Sequence, residues 1–291
     1  MKRCGLFILS AVLAIVFSCQ TQEGKDQYCK SSDGVKICYT EYGQGEELIV
    51  LIHGWSCDKS YWSKQVDYFK QEYHVVTIDL GGHGKSGLNR DNWTMSAYGD
   101  DINSVLKKMD FQKAYLAGHS MGSDVILEAA NKWGENNIEL FLVDRFNDTP
   151  MPWIGESFDN FLQPFKDDFV TASSQWIKQV MFVPESDPEL IEWIAKDMSQ
   201  ADPKVALSAM ENLFSNDYTP IINQLKQRHI PMTLINSDYQ PLKIDNLQKV
   251  GFEVVTMSDC GHFVMMEQPE TFNNILKGMI EKYDESDLIV E

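Results

Sequence analysis

Ala114-Tyr115-Leu116-Ala117-Gly118-His119-Ser120-Met121-Gly122, followed by Asp124-Val125-Ile126-Leu127-Glu128-Ala129-Ala130, decides how this chain is read. An apolar run of strand character meets a helix-like segment at one serine. Glycines two before and two after Ser120 allow a sharp backbone turn that leaves the hydroxyl exposed above a helix N-terminus. That is the geometry of a nucleophile elbow. A glycine-rich turn capped by serine would give the same pentapeptide, so the surrounding sequence must discriminate.

Working outward, Leu48-Ile49-Val50-Leu51-Ile52 is a continuous apolar run of the kind buried in a parallel sheet, and it leads into His53-Gly54-Trp55. A loop leaving a central strand can aim a backbone N–H at a neighbouring site. Tetrahedral acyl chemistry needs two such donors, and the amides of Trp55 and of Met121, directly after the serine, are the candidates. An ordinary strand-end turn with a core tryptophan is the competing reading.

Near the C-terminus, Phe252-Glu253-Val254-Val255-Thr256-Met257 reads as a strand closed by Ser258-Asp259-Cys260-Gly261-His262-Phe263. Downstream of Ser120 there are two histidines. His229 lies in the polar segment Lys226-Gln227-Arg228-His229 and reads as structural or exposed, which leaves His262 as the candidate general base.

A second apolar strand, His74-Val75-Val76-Thr77-Ile78, ends at Asp79 and precedes the glycine-dense stretch from Gly81 to Gly87. The spacing is not that of a phosphate loop, and no helix start follows. Asp79, His83 and His53 lack the patterns that accompany a metal centre, so no metal is expected.

Four signatures thus occur in one order: His53-Gly54-Trp55, then Asp79-x-x-Gly82-x-Gly84-x-Ser86, then Gly118 to Gly122, then Gly261-His262-Phe263 with Glu267-x-Pro269. In this order they resemble the α/β-hydrolase fold family, over about residues 28 to 283. The resemblance implies an α/β fold: a mostly parallel, eight-stranded sheet flanked by helices, with no cofactor. Ser123 stands where the family commonly has a second glycine, and Asp124 puts a carboxylate close to the start of the elbow helix.

In this fold two places can supply the acid that orients His262. Asp238 follows the strand from Pro231 to Asn236 and is the expected choice, although the family's longer turn is shortened here to Asn236-Ser237-Asp238. Asp144, 24 residues after Ser120, is the rival, with Asp148 a weaker third.

Between Asp144 and Pro231 lie about 85 residues, too many for a plain loop. Apolar residues recur at helical spacing in Phe158-Phe161-Leu162-Phe165-Phe169, in Trp176-Ile177-Val180-Met181 and in Leu190-Ile191-Trp193-Ile194, so a helical cap is expected over 149–220. Prolines 152, 164, 184, 188 and 203 mark breaks or first helical turns. Most cap aromatics should form the seam with the core, which spans 28–148 and 221–291.

The whole chain bounds the rest. Its 291 residues, 43% hydrophobic, can bury one large core, and 43 acidic against 25 basic residues give a charge of −18, which disfavours nucleic acid as a partner. Lys2-Arg3 and the apolar run from Leu6 to Phe17 read as a signal peptide over 1–18. Val16-Phe17-Ser18-Cys19 resembles a bacterial lipobox, which implies lipidation of Cys19, a tether over 19–27 and an exported, membrane-anchored protein; a plain signal peptide is the alternative.

Export permits disulfides. Counting outward from a two-residue turn at Asp33-Gly34 pairs Cys29 with Cys38, so a bridge is expected there, with two free buried thiols as the alternative. A second bridge between Cys57 and Cys260 is left open.

The expected function is a serine hydrolase with Ser120, Asp238 and His262 as catalytic residues and an apolar pocket for a small or medium hydrophobic ester. Lactonase, thioesterase and perhydrolase activities, or a small-molecule receptor with little turnover, are alternatives. Aspartate-nucleophile epoxide hydrolases and dehalogenases are disfavoured because the elbow residue is serine.

Overall fold

The computed structural model describes residues 24–288, so the expected signal peptide over 1–18 and Cys19 lie outside the described residues. The strands are β1 (Asp26–Lys30), β2 (Lys36–Tyr42), β3 (Glu47–Ile52), β4 (His74–Asp79), β5 (Lys113–His119), β6 (Ile138–Val143), β7 (Met232–Ser237) and β8 (Glu253–Met257). They form one sheet in the order β1-β2-β4-β3-β5-β6-β7-β8. β1, β2 and β4 pair antiparallel, and every pair from β4 through β3 to β8 is parallel. The expected tether over 19–27 therefore overlaps β1, which starts at Asp26.

The central strands are apolar along their whole length because helices cover both faces. Leu48, Ile49, Val50, Leu51 and Ile52 on β3 are fully buried, as are Leu116 and Ala117 on β5. Helix α1 (Ser63–Phe69) follows β3, α2 (Met95–Leu106) follows β4, and α3 (Met121–Trp133) follows β5. Thr94 caps α2 by accepting a hydrogen bond from the Ala97 N–H at 3.1 Å.

Between β6 and β7 come α4 (Glu156–Asp167), α5 (Phe169–Val180), α6 (Pro188–Met198) and α7 (Pro203–Ser215), then α8 (Thr219–Gln227), which returns to pack on α3. Pro188 and Pro203 open their helices behind the aspartate caps Asp187 and Asp202, whereas Pro164 lies inside α4. The C-terminal region contributes α9 (Ile244–Val250), the short α10 (Val264–Glu267) and α11 (Pro269–Leu288). Phe161, Phe165 and Trp176 pack edge-on or tilted against one another and join the insertion to the Trp55 ring.

The hairpin corrects the expected disulfide. Lys30 pairs with Lys36, Cys29 with Ile37 and Tyr28 with Cys38, because Ser31 and Val35 close the loop one residue wider than a two-residue turn. A one-residue change of register sends a side chain to the other face of the sheet. Cys29 and Cys38 are consequently both free and buried, on opposite faces, and Cys57 and Cys260 are also free and buried.

Candidate active site

The elbow is a strained turn between β5 and α3. Ser120 has φ +51° and ψ −119°, a conformation uncommon for a residue with a side chain, and its N–H donates to Val143 O on β6 at 2.8 Å. Gly122 is required by close approach: a Cβ there would lie 2.6 Å from Ile52 O and 2.7 Å from His53 O. The first turn of α3 is thus pressed against the loop carrying Trp55. Ser123 uses its hydroxyl where a glycine has none, donating to Gly118 O at 2.6 Å and tying the helix start to the strand end.

His262 is held from both ends. Its Nδ1 lies 2.6 Å from Asp144 Oδ2. With a carboxylate as acceptor, Nδ1–H is the donor and Nε2 keeps its lone pair. The His262 N–H donates to Met181 O at 2.8 Å, and its carbonyl accepts from His119 Nε2 at 2.9 Å. His119 is itself fully enclosed, and burial together with the neighbouring His262 keeps its pKa well below the usual range. It therefore serves the site as a neutral donor.

Asp144, not Asp238, is the carboxylate at His262. Asp144 sits just past the end of β6 with φ +48°; its N–H donates to Ile235 O, and its Oδ1 accepts the Ser237 N–H at 2.8 Å. That leaves Oδ2 for the imidazole. Asp238 continues the β7–β8 ladder through its N–H to Met257 O, and its exposed carboxylate accepts from Ser258 Oγ at 2.6 Å. The shortened turn after β7 never carries it round to the histidine. Asp148 is exposed and bound to Asn246, and His229 is exposed.

Asp124 is explained by Arg145, a residue the sequence reading passed over. The Arg145 guanidinium grips the Asp124 carboxylate through Nε and Nη2, both at 2.9 Å. Burial pushes the Asp124 pKa up, and Arg145 opposes the shift. A buried aspartate at the start of the elbow helix requires a cation, and that demand was the available signal for Arg145.

Trp55, Ser120, Asp144, His119 and His262 line one cavity of about 250 Å³, walled by Trp176, Val180, Met181, Met198, Met210, Leu213, Phe214 and Phe263. Arg145, Asn147, Tyr239 and Gln240 give it a polar edge. The Trp55 indole belongs to the seam: it donates to Ala206 O at 2.8 Å and meets Phe165, Phe169 and Trp176 edge-on. Its backbone amide, like that of Met121, has no hydrogen-bond acceptor among the described residues.

His53, His83 and Asp79 are structural. His53 donates from Nδ1 to Gly54 O and accepts the Leu80 N–H at Nε2, and Asp79 binds Lys59 and the Lys85 N–H. Among the described residues no group of three or more His, Cys, Asp or Glu side chains is placed to hold a metal ion.

A parallel sheet with a strained serine at a strand–helix elbow and a carboxylate-held histidine on the same cavity defines an enzyme of the hydrolase class. The family model described as "Alpha/beta hydrolase family" matches residues 49–275. The chain belongs to the alpha/beta hydrolase family. It is similar to 3-oxoadipate enol-lactonase 2 of Acinetobacter baylyi, 22% identical over 269 residues, covering 87% of this chain and 96% of that protein. Among solved structures, a bromoperoxidase from Bacillus anthracis matches with a TM-score of 0.77 at 18% identity, over 88% of this chain and 100% of that one. An esterase from Thermogutta terrifontis matches at 0.76 and 21% identity, over 89% and 98%.

Proposed function

We propose that this chain is a serine hydrolase that cleaves small or medium hydrophobic carboxylic esters through an acyl-enzyme. The observation that carries the reading is the strained Ser120 opening onto the cavity that also holds the Asp144-bound His262. Ser120 Oγ attacks the ester carbonyl carbon while His262 Nε2 takes its proton. The proton passes to the departing alcohol, leaving the acyl group on Ser120. Water, deprotonated by the same nitrogen, then releases the acid and restores the serine. The unpaired amides of Trp55 and Met121 hold the negative oxygen of each tetrahedral intermediate, a contact of this kind contributing about 3 kcal/mol.

The apolar wall from Trp176 to Phe214 suits an acyl chain, and the polar edge suits the alcohol portion. An enol-lactone is a cyclic ester, so the activity named for the Acinetobacter baylyi protein falls within the same chemistry. Fluorophosphonate labelling of the intact protein tests the reading, with Ser120→Ala and His262→Ala for comparison and a graded series of p-nitrophenyl esters as substrates. Absence of label on folded wild type ends it. Lipidation at Cys19, tethering the enzyme to a membrane face, is part of the same proposal. Mass spectrometry of the membrane fraction tests this, and an unmodified Cys19 removes it.

A further inference from the structure

The loop that carries His262 is gripped on both sides by one carboxylate. Glu267, the last residue of α10, accepts the Gly261 N–H at 3.0 and 3.1 Å through its two oxygens, and the Phe263 N–H at 3.3 Å. These are the two residues that flank the base. The same carboxylate accepts the Ser186 hydroxyl at 2.5 Å, and Ser186 is buried in the segment joining α5 to α6. Hydrogen bonds to a carboxylate are about twice as strong as neutral ones.

The segment from Met181 to Ser186 touches the histidine loop at three further points. Met181 O accepts the His262 N–H, and the Phe182 and Phe263 rings stack at 5.6 Å. Gly261 leaves no room for a side chain, since a Cβ there would meet Met181 O and lie 2.8 Å from Phe182 Cα. Met181 also lines the cavity. The insertion and the base therefore share one bonded seam, with Glu267 at its centre.

We infer that Glu267 is a positioning residue, and that Ser186 and Glu267 together make the placement of His262 depend on the insertion being seated over the cavity. The inference rests on the serine-hydrolase reading. A misplacement near 1 Å far from the reacting atoms can cost on the order of 100-fold in rate. Loosening the grip should thus act on turnover and leave substrate affinity alone.

The test measures kcat and KM for a short p-nitrophenyl ester in the full-length protein carrying Glu267→Gln, Ser186→Ala, Ser186→Thr or both Ser186→Ala and Glu267→Gln, with the exposed Glu270→Gln as control. Glu267→Gln should lower kcat at least ~10-fold with KM within ~2-fold, and Ser186→Ala should lower kcat about 3-fold. Ser186→Thr keeps a hydroxyl and should restore the wild-type rate, and Ser186→Ala should add nothing in the Glu267→Gln background. Wild-type kcat in folded Glu267→Gln overturns the inference. Should that variant fail to fold, equal rates for Ser186→Ala and wild type overturn it instead. Fluorophosphonate labelling of wild type separates the two levels: its failure removes the serine-hydrolase reading itself, whereas normal labelling with an unaffected Glu267→Gln removes this inference alone.

Discussion

The pairing of His262 with Asp144 is decided by which strand tips meet. Asp144 extends from β6, its Oδ1 is held by the Ser237 N–H on β7, and its Oδ2 is left for the imidazole. Asp144→Asn should keep the fold and lower kcat by about four orders of magnitude, because an amide no longer holds the correct tautomer. Asp238→Asn should stay within ~2-fold of wild type, since that carboxylate reaches only Ser258. Ester hydrolysis by both variants checks this, and a disabled Asp238→Asn with an active Asp144→Asn reverses the assignment. The neighbouring ion pair acts on stability. Arg145→Met leaves Asp124 buried without its partner and should cost roughly 3–5 kcal/mol in urea unfolding, whereas Asp124→Leu combined with Arg145→Met should recover most of that loss. A double variant less stable than the single one would show that the pair is worth more than the apolar packing replacing it.

At the scale of elements, strands that are buried on both faces were legible because burial writes itself as an unbroken apolar run. The runs in β3, β4 and β5 delivered the elbow and the Trp55 loop at their carboxyl ends. The helical insertion was legible from its 3.6-residue period and from prolines that open helices behind aspartate caps. Hairpin register was not, because Asp33-Gly34 fits both a two-residue turn and the wider loop that forms, and the choice is made by the Ser31 N–H donating to Val35 O while the Val35 N–H is taken by the Asp33 carboxylate. The acid was hidden for a similar reason: its partner comes from the loop after β8, 118 positions away, and the turn after β7 had to be too short for Asp238 to compete. The register has a measurable consequence. The melting temperature should be the same with and without dithiothreitol, and Cys29→Ser should not alter that indifference. A reductant-sensitive transition that disappears in Cys29→Ser would mean that β1 and β2 pair one residue differently.

Across the whole molecule, three enclosed histidines link folding to pH. Burial, helped by the neighbouring His53, lowers the His83 pKa to about 3, while burial, reinforced by His262, keeps His119 well below its ordinary value. Burial also lowers His53. Below pH 6.5 the unfolded chain binds protons at these positions and the folded chain does not, so stability present above that pH is lost as pH falls. His83, unprotonated in the folded chain, costs about 1.4 kcal/mol by pH 5.5, with His119 and His53 adding in the same direction. The window from pH 7.5 to 5.5 isolates them from the carboxylates whose pKa is lowered by partners. Asp33 and Asp79, held down by Arg90 and Lys59, lose stability only below the ordinary carboxylate range. Asp101, Asp124, Asp197 and Glu128 are raised by burial, so the folded state takes up their protons first and they oppose the loss. Urea midpoints should therefore fall steadily from pH 7.5 to 5.5, and His83→Gln should remove about 1.4 kcal/mol per pH unit from the slope. A slope that is the same in His83→Gln and wild type over that interval would mean that the His83 ring takes up its proton in the folded state in spite of its burial.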